Sequence, residues 1–341
     1  MAVTMQDIAA AVNLSRPTVS LILNGRDSDL RIAEATRQRV LETARRLGYR
    51  RNELARAVKL GRTSVIAFIG GNSGYTMEII SGINRSAEKH GYSLKLFLLG
   101  DGSELSAITR QCREQMVAGV ICRAMDDEQL SILRNDLDAA GIPVVQVDNS
   151  FPRDWCGRVV SADIDGGMQA VKYLISSGHR RIGLVTVTGN RGYAVLRRQG
   201  YCRALEEAGM AIVPELEIAI DYELSREPEQ DSRLREYLDS RQPDAVFCVA
   251  DPLAMKVLQA AHAVGMAVPE RLSVVGYADL DYASLSIPPL TTVAQPFAQM
   301  GETAADALIG MLRNPQSATP INIELPVRLV IRQSSAPHSP T

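Results

Sequence analysis

Apolar positions in the first fifty residues recur at helical spacing, and from residue 64 they change to short blocks separated by helical stretches. Thr4 and Asp7 have the spacing of a capping box, and Ile8, Ala9 and Val12 then share one helical face. Asn13-Leu14 breaks the pattern. Ser15 is a good N-cap for a second helix, where Pro17 falls in the first turn and leaves no hydrogen bond unmade. Val19, Ile22 and Leu23 form its inner face, and Asn24-Gly25 ends it with residues suited to left-handed backbone. A third helix is predicted from about Ala33 to Leu47, with Val40, Ala44 and Leu47 on one side and Gly48 as its stop. Two short helices, a tight turn and a third bracing helix make a helix-turn-helix DNA reader, and the alternative is a plain three-helix bundle. In the first case the N-terminal end of the second helix enters the major groove, with Ser15, Arg16, Pro17, Thr18 and Ser20 facing it.

From Ser64 the blocks alternate. Strands are predicted at Val65–Ile69, Leu94–Leu98, Val117–Ile121, Pro143–Val147 and Val159-Val160, with a helix over Thr76–His90. A second series has strands at Ile182–Val187, Glu217–Ile220, Ala245–Val249 and Ser273–Val275, again separated by helices. Such alternation predicts parallel sheets covered by helices on both faces, an α/β unit of two lobes with similar topology. Ligands of these sheets collect at the carboxyl ends of strands. That places 70–76, 161–165, 188–193, Asp221-Tyr222, Ala250-Asp251 and 277–281 around one cleft.

Charge sharpens this division. The chain has 341 residues and a net charge of −2. Of its 37 basic and 39 acidic residues, 12 and 6 lie in 1–63 (net +6), which leaves 25 and 33 (net −8) for the remainder. A basic arm on an acidic body is the layout of a nucleic-acid binder whose larger part does something else. No apolar run approaches the ~20 residues of a membrane span. No basic, then apolar, leader opens the sequence, so export is not expected and a cytoplasmic protein is; the DNA-reader reading adds the nucleoid as its place. The five cysteines and four histidines are scattered without CxxC or zinc-type spacing. Reduced thiols are therefore expected, with no metal and no cofactor.

The residues carry a resemblance. Thr4-Met5-Gln6-Asp7-Ile8-Ala9, Leu14-Ser15-x-x-Thr18-Val19-Ser20, Leu23-Asn24, Thr36-Arg37-x-x-Val40 and Leu47-Gly48-Tyr49 with Asn52 together resemble the headpiece of the LacI/GalR family of bacterial transcription regulators. The resemblance implies DNA contacts from Thr4, Ser15, Arg16, Pro17, Thr18, Ser20, Leu21 and Asn24. Two departures matter. Arg16-Pro17 replaces the family's usual polar or aromatic pair, and Leu21 stands where an arginine is common. Pro17 and Leu21 offer no side-chain donors, so Arg16, whose fork matches guanine O6 and N7, becomes the base reader. The stretch 25–32 is longer than the family pattern, and its charged residues Arg26-Asp27-Ser28-Asp29 suit either phosphates or water.

Asn52 can cap a short helix from Glu53 to Leu60, ended by Gly61. By resemblance this is a hinge helix that forms when two subunits lie side by side on DNA. Asn52, Ala55, Arg56 and Lys59 would then lie at the DNA, and Val58, where leucine is usual, would wedge into the minor groove. The body resembles the family less tightly, through Gly178-His179-Arg180-Arg181-Ile182, Gly276-Tyr277 and Pro289-Leu290-Thr291-Thr292-Val293-x-Gln295-Pro296. This implies a type I periplasmic-binding-protein-like fold whose chain crosses between lobes near residues 162, 293 and 325. It carries effector contacts onto Tyr75, Thr76, Ser161, Arg191, Arg197, Tyr222 and Asp251. Asp251 also suits the N-cap of a helix over Pro252–Val264. The aspartate that usually follows Gly-Tyr is Ala278 here; either Asp279 takes its place, or the effector lacks the usual polyol contact. Lone Trp155 suits an exposed or interface position better than the cleft.

The expected organisation is a headpiece at 1–51, a hinge at 52–61, a two-lobed effector-binding and dimerisation domain at 62–333, and a disordered tail at 334–341. The tail has no heptads, so a homodimer on a pseudo-palindromic DNA operator is expected rather than a tetramer. The expected effector is a sugar, sugar acid or nucleoside-like molecule. Two rivals are weaker. The glycines at 70, 71 and 74 do not have GxGxxG spacing and no GxxxxGK[ST] occurs, which disfavours a nucleotide-dependent enzyme. A sugar-binding protein without a regulatory role leaves the headpiece motif unexplained.

Overall fold

A computed structural model describes residues 3–23, 32–49, 61–71, 74–100, 104–123, 125–148, 152–189, 191–221, 228–314 and 321–338. The chain divides into two compact units, Met1–Thr63 and Ser64–Thr341. The first holds α1 (Met5–Val12), α2 (Arg16–Leu23) and α3 (Glu34–Arg46). Thr4 closes the predicted capping box: its Oγ1 accepts from Asp7 N at 3.4 Å, and Asp7 Oδ2 accepts from Thr4 N at 2.8 Å. Asn13 ends α1 in left-handed backbone at φ +53°. Ile8, Ala9, Val12, Val19, Ile22, Val40 and Ala44 form the small core. Arg39 Nη2 donates to Val12 O at 3.2 Å and so ties α3 to the end of α1.

The second unit contains two six-stranded sheets. The first lobe runs β1 (Val65–Gly71), α4 (Thr76–Lys89), β2 (Ser93–Leu99), α5 (Leu105–Glu114), β3 (Gly119–Arg123), α6 (Asp127–Asp138), β4 (Val144–Val147) and β5 (Gly157–Ser161). The chain crosses at Ala162 into the second lobe. There it runs α7 (Asp163–Ser176), β6 (Ile182–Val187), α8 (Gly192–Glu207), β7 (Glu217–Ile220), α9 (Pro228–Arg241), β8 (Ala245–Cys248), α10 (Asp251–Ala263), β9 (Ser273–Ala278) and β10 (Thr291–Ala294). It returns through Gln295-Pro296 to α11 (Phe297–Arg313) and β11 (Asn322–Leu325) of the first lobe, and crosses last to β12 (Arg328–Val330). The sheet orders are β11-β5-β4-β3-β1-β2 and β12-β10-β9-β8-β6-β7. Only the β10–β12 pair is antiparallel among the described strands.

Both faces of the first sheet are covered, as parallel sheets require. Ile66 and Phe68 point into one apolar cluster, and Ala67 and Ile69 into another on the opposite face. The second lobe has one large cluster that includes Leu184, Phe247, Val274 and Tyr277. Trp155 is half-buried against the first lobe's second cluster, beside Cys156. Glycine sets the closest helix approaches. A Cβ at Gly167 would strike the Arg197 carbonyl, and one at Gly200 the Ile164 carbonyl, so only bare backbone allows α7 and α8 to pack this tightly. That contact brings Arg197 against the first crossing.

Three expectations change. The third strand begins two residues later than its apolar run and ends on the charged Arg123, because the partner strand β4 continues to Val147. Asp251 is the first residue of α10, not its cap: Ala250 holds that position, and the Asp251 side chain is used elsewhere. The tail expectation fails for 334–338. Ser334 Oγ donates to Val274 O at 2.6 Å and accepts from Thr291 N at 2.8 Å, and Val274 N donates to Ser334 O at 2.7 Å. Ser334 and Ser335 are buried. The polar composition implied disorder, but the serine hydroxyls satisfy buried backbone and dock the segment along β9. Residues 339–341 lie outside the described residues.

Candidate functional site

In the first unit, Ser15 Oγ accepts from Thr18 N at 3.2 Å, so it caps α2 as its position predicts. The Thr18 hydroxyl lies 2.8 Å from the same oxygen. Ser15, Arg16 and Pro17 are exposed, Thr18, Ser20 and Leu21 are half-buried, and Val19 and Ile22 face the core. The N-terminal end of α2 therefore presents a hydroxyl, a guanidinium and a pyrrolidine ring outward. Thr4 is likewise exposed, at the start of α1. The expected DNA contacts Asn24, Asn52, Ala55, Arg56, Val58 and Lys59, and the stretch 25–31, lie outside the described residues.

In the second unit, polar side chains converge at the carboxyl ends of the strands, where the lobes meet. Arg197 is the hub. It is 4% exposed. Its Nε donates to Asp163 Oδ1 at 2.8 Å, Nη1 to Val249 O at 2.7 Å and Nη2 to Gln295 Oε1 at 3.1 Å. The guanidinium carbon lies 3.6 Å from the Tyr277 ring centroid and 4.9 Å from that of Tyr193. Burial disfavours this cation, but Asp163 outweighs the penalty and holds it above the ordinary arginine value. Gln295 Nε2 in turn donates to Ser161 Oγ at 2.8 Å. Ser161 and Asp163 flank the first crossing and Gln295 lies on the second, so one guanidinium reaches both.

On the first lobe, Arg123 is 3% exposed and donates from Nε and Nη2 to Asp148 Oδ2 at 3.3 and 3.2 Å. Its Nη1 donates to Thr76 Oγ1 at 3.1 Å, and that hydroxyl donates to Gly71 O at 3.1 Å. Burial pushes the Asp148 carboxyl above the ordinary range, against the pull of Arg123. The Tyr75 ring stacks on Phe297 with centroids 4.4 Å apart, and the Arg123 guanidinium lies 4.2 Å from its centroid. A ring stacked on one side and covered on the other offers a ligand a free face only if Arg123 moves.

The remaining expected contacts differ in accessibility. Arg191 is exposed at the N-cap of α8. Asp251 is fully buried; it accepts from Thr292 Oγ1 at 2.5 Å and Leu280 N at 2.8 Å, which holds the loop after β9. Asp279, in left-handed backbone at φ +59°, turns its carboxylate to Arg332 Nη2 at 2.7 Å. Tyr222 lies outside the described residues. The fold thus gathers Tyr75, Thr76, Ser161 and Arg197 near the lobe junction. It also adds Arg123 and Asp148, which pattern reasoning did not single out, and draws in Asp163, Tyr277 and Gln295 from segments that it placed at the cleft or in the body motifs without giving them a contact. Arg123 carried a signal: it is the one charge closing an otherwise apolar strand, at the end where ligands collect.

The site offers guanidinium and amide donors and aromatic faces. The nearest buried thiols, Cys122 and Cys248, are pushed well above their ordinary value by burial and are not thiolate nucleophiles. Elsewhere on the second lobe, Leu285 and Ile287 are 78% and 94% exposed. Exposed Ile331 precedes Arg332, which donates to Leu290 O at 2.8 Å and so lies by the same loop. No helix among the described residues is long and apolar enough to cross a membrane.

Residues 4–52 match the family of bacterial regulatory proteins of the lacI type, and residues 171–335 match the periplasmic binding protein-like domain. The ribose operon repressor of Haemophilus influenzae is 31% identical over 318 residues, 92% of each chain. The HTH-type transcriptional repressor PurR of Escherichia coli is 32% identical over 341 residues, 98% of this chain and 97% of that one. Among solved structures, a complex of the transcriptional regulator CelR with cellobiose superposes with a TM-score of 0.71 at 29% identity, covering 97% of this chain and 99% of the other. A lac repressor dimer bound to operator and an anti-inducer shares the fold, with a TM-score of 0.77 at 24% identity over 98% of this chain and all of that one.

Proposed function

The chain belongs to the LacI family of bacterial regulatory proteins, and from that premise we propose that it is a DNA-binding transcription repressor whose operator affinity is set by a small molecule held between its two lobes. The observation that carries this reading is the pairing, in one chain, of an exposed α2 N-terminus with a sensor unit whose buried polar side chains meet at the lobe junction. Arg16 reads a base edge from each of two half-sites, and Ser15, Pro17, Thr18, Ser20 and Leu21 set the helix against the duplex. The chain acts as a homodimer. The exposed Leu285, Ile287 and Ile331 are large apolar side chains of the kind that a second copy covers. It works in the cytoplasm, at the nucleoid, and catalyses no reaction.

The effector is a sugar or sugar derivative. A relative named for the ribose operon and a neighbour holding cellobiose support that class. So do the guanidinium groups of Arg123, Arg191 and Arg197, whose planar forks suit hydroxyl and carboxylate oxygens. Tyr75, Thr76, Ser161, Arg197 and Asp251 belong to the pocket or its wall, with Asp279 at its edge. Binding changes how the lobes close, and thereby the affinity of the dimer for its operator.

Effector binding to the free dimer and to its operator complex tests this. Coupling is reciprocal: an effector that changes operator affinity tenfold has its own affinity changed tenfold by operator, about 1.4 kcal/mol. A screen of sugars and sugar acids by thermal shift supplies the probe, and the two titrations follow. Equal effector affinities with and without operator refute the coupling.

A further inference from the structure

His179 stands three residues before Ile182 and Asp244 directly before Ala245, two strand starts that pair in register at the amino end of the second sheet. This edge is remote from the lobe junction, which lies at the carboxyl ends. Asp244 Oδ2 is fully used, accepting from Arg180 N at 2.8 Å and Arg181 N at 2.9 Å. Its Oδ1 is buried without a hydrogen-bond partner, and so is Nδ1 of His179, whose side chain is 2% exposed. These two atoms face one another at 3.5 Å. The other imidazole nitrogen, Nε2, lies 3.1 Å from Ala336 O and must carry hydrogen to bond there. Nδ1 and the carboxylate oxygen that it faces then need a positive centre between them, a proton or a metal ion.

The docked C-terminal segment brings a third donor to the same point. His338 is anchored through its N–H to Ser177 O at 2.7 Å, and its ring centroid lies 5.2 Å from that of His179. One donor atom from each of His179, Asp244 and His338 lies within 4.8 Å of the others. A proton would join Nδ1 to Oδ1 and leave the His338 ring without a role, whereas a metal ion would use all three donors. The outer contacts are those metal ligands require: a ring N–H fixed by a backbone carbonyl, and a carboxylate whose second oxygen is held by two backbone amides. Two imidazoles and a carboxylate suit a borderline divalent ion. In a tetrahedral zinc site the ligand atoms stand about 3.3 Å apart. The half-exposed His338 side chain can close that difference.

We propose that His179, Asp244 and His338 form a site for a divalent transition-metal ion, zinc by its donor set, which fastens the C-terminal segment to the second lobe. The site is separate from effector binding and does not depend on the reading of the cleft. The test uses the full chain, stripped with chelator and titrated with zinc chloride by calorimetry, and with cobalt chloride by visible absorption. One ion per chain is expected, with cobalt giving the d–d bands of nitrogen and oxygen ligation. At zinc a hundredfold above Kd the sensor unit's melting temperature should rise by about 5 °C. Asp244→Asn and His338→Ala, the latter altering only a half-exposed side chain, should each weaken binding at least tenfold, whereas His262→Ala, on an exposed histidine of α10, should not. The absence of saturable uptake means that a proton bridges Nδ1 and Oδ1 and overturns the proposal. Titrations of His338→Ala indistinguishable from wild type overturn it equally.

Discussion

Replacing Arg197 with leucine removes the guanidinium and keeps an apolar side chain of related bulk against Tyr277. Three hydrogen bonds are lost, to Asp163, Val249 O and Gln295. The decisive consequence is that Asp163, with a side chain 6% exposed, is left as a buried carboxylate without its cation. Breaking a buried pair from one side costs about 3–5 kcal/mol, because the survivor keeps its desolvation penalty and loses its compensation. With a urea m-value of roughly 3 kcal/mol/M, that shifts the unfolding midpoint down by about 1 M or more. Trp155 is the only tryptophan in the sequence and packs on the first lobe, so its fluorescence reports that lobe, while far-ultraviolet circular dichroism reports both. Coincident transitions would license the two-state treatment. The double variant Arg197→Leu/Asp163→Leu should be no less stable than Arg197→Leu alone, since no orphan charge remains. A single-variant cost below about 1 kcal/mol would refute the reasoning, as would a double variant equal to the sum of the singles.

Three further outcomes follow from the same structure. Arg16→Ala should weaken cognate operator binding by about 1–3 kcal/mol and relax one base position; a site selection unchanged at every position would contradict it. Asp148 has its carboxyl raised by burial from the ordinary 3.8, so the folded unit holds a proton that the unfolded chain has released. Its contribution to stability therefore declines as pH rises upward from that value, and the stability difference between wild type and Asp148→Asn should fall with pH in urea titrations. A difference that grows with pH would reverse the assignment. Ile287→Asp, at a side chain 94% exposed, should leave the circular dichroism spectrum intact and shift sedimentation from dimer to monomer; a variant still dimeric at micromolar concentration would locate the interface elsewhere.

Much of this architecture is written in local pattern. The box at Thr4 and Asp7, the cap at Ser15 and the apolar spacing of Ile8, Val12, Val19 and Val40 are short-range signals, and each appears where the spacing puts it. Strand starts at Val65, Ile182, Glu217, Ala245 and Ser273 agree as well, because buried parallel strands are uninterrupted apolar blocks. The partners of Arg197 were not legible. Asp163, Val249 and Gln295 lie 34, 52 and 98 residues away, and only the crossings bring them together. The docking of Ser334 and Ser335 escaped for the opposite reason. Their composition is that of a solvated tail, and nothing nearby in sequence records that Val274 and Thr291 need their hydroxyls. His338 sits in the same short stretch and is invisible as a neighbour of His179 for that reason.

Three tethers join the lobes, and any rotation of one lobe against the other must twist all of them. A single side chain grips two: Arg197 holds Asp163 beside the first and Gln295 on the second. A molecule that drew this guanidinium toward itself would loosen both pivots at once, without having to pry the mouth of the cleft apart. Leverage in this protein is then greatest at the axle, and a compound of a few atoms placed there could do what a bulky wedge at the rim could not.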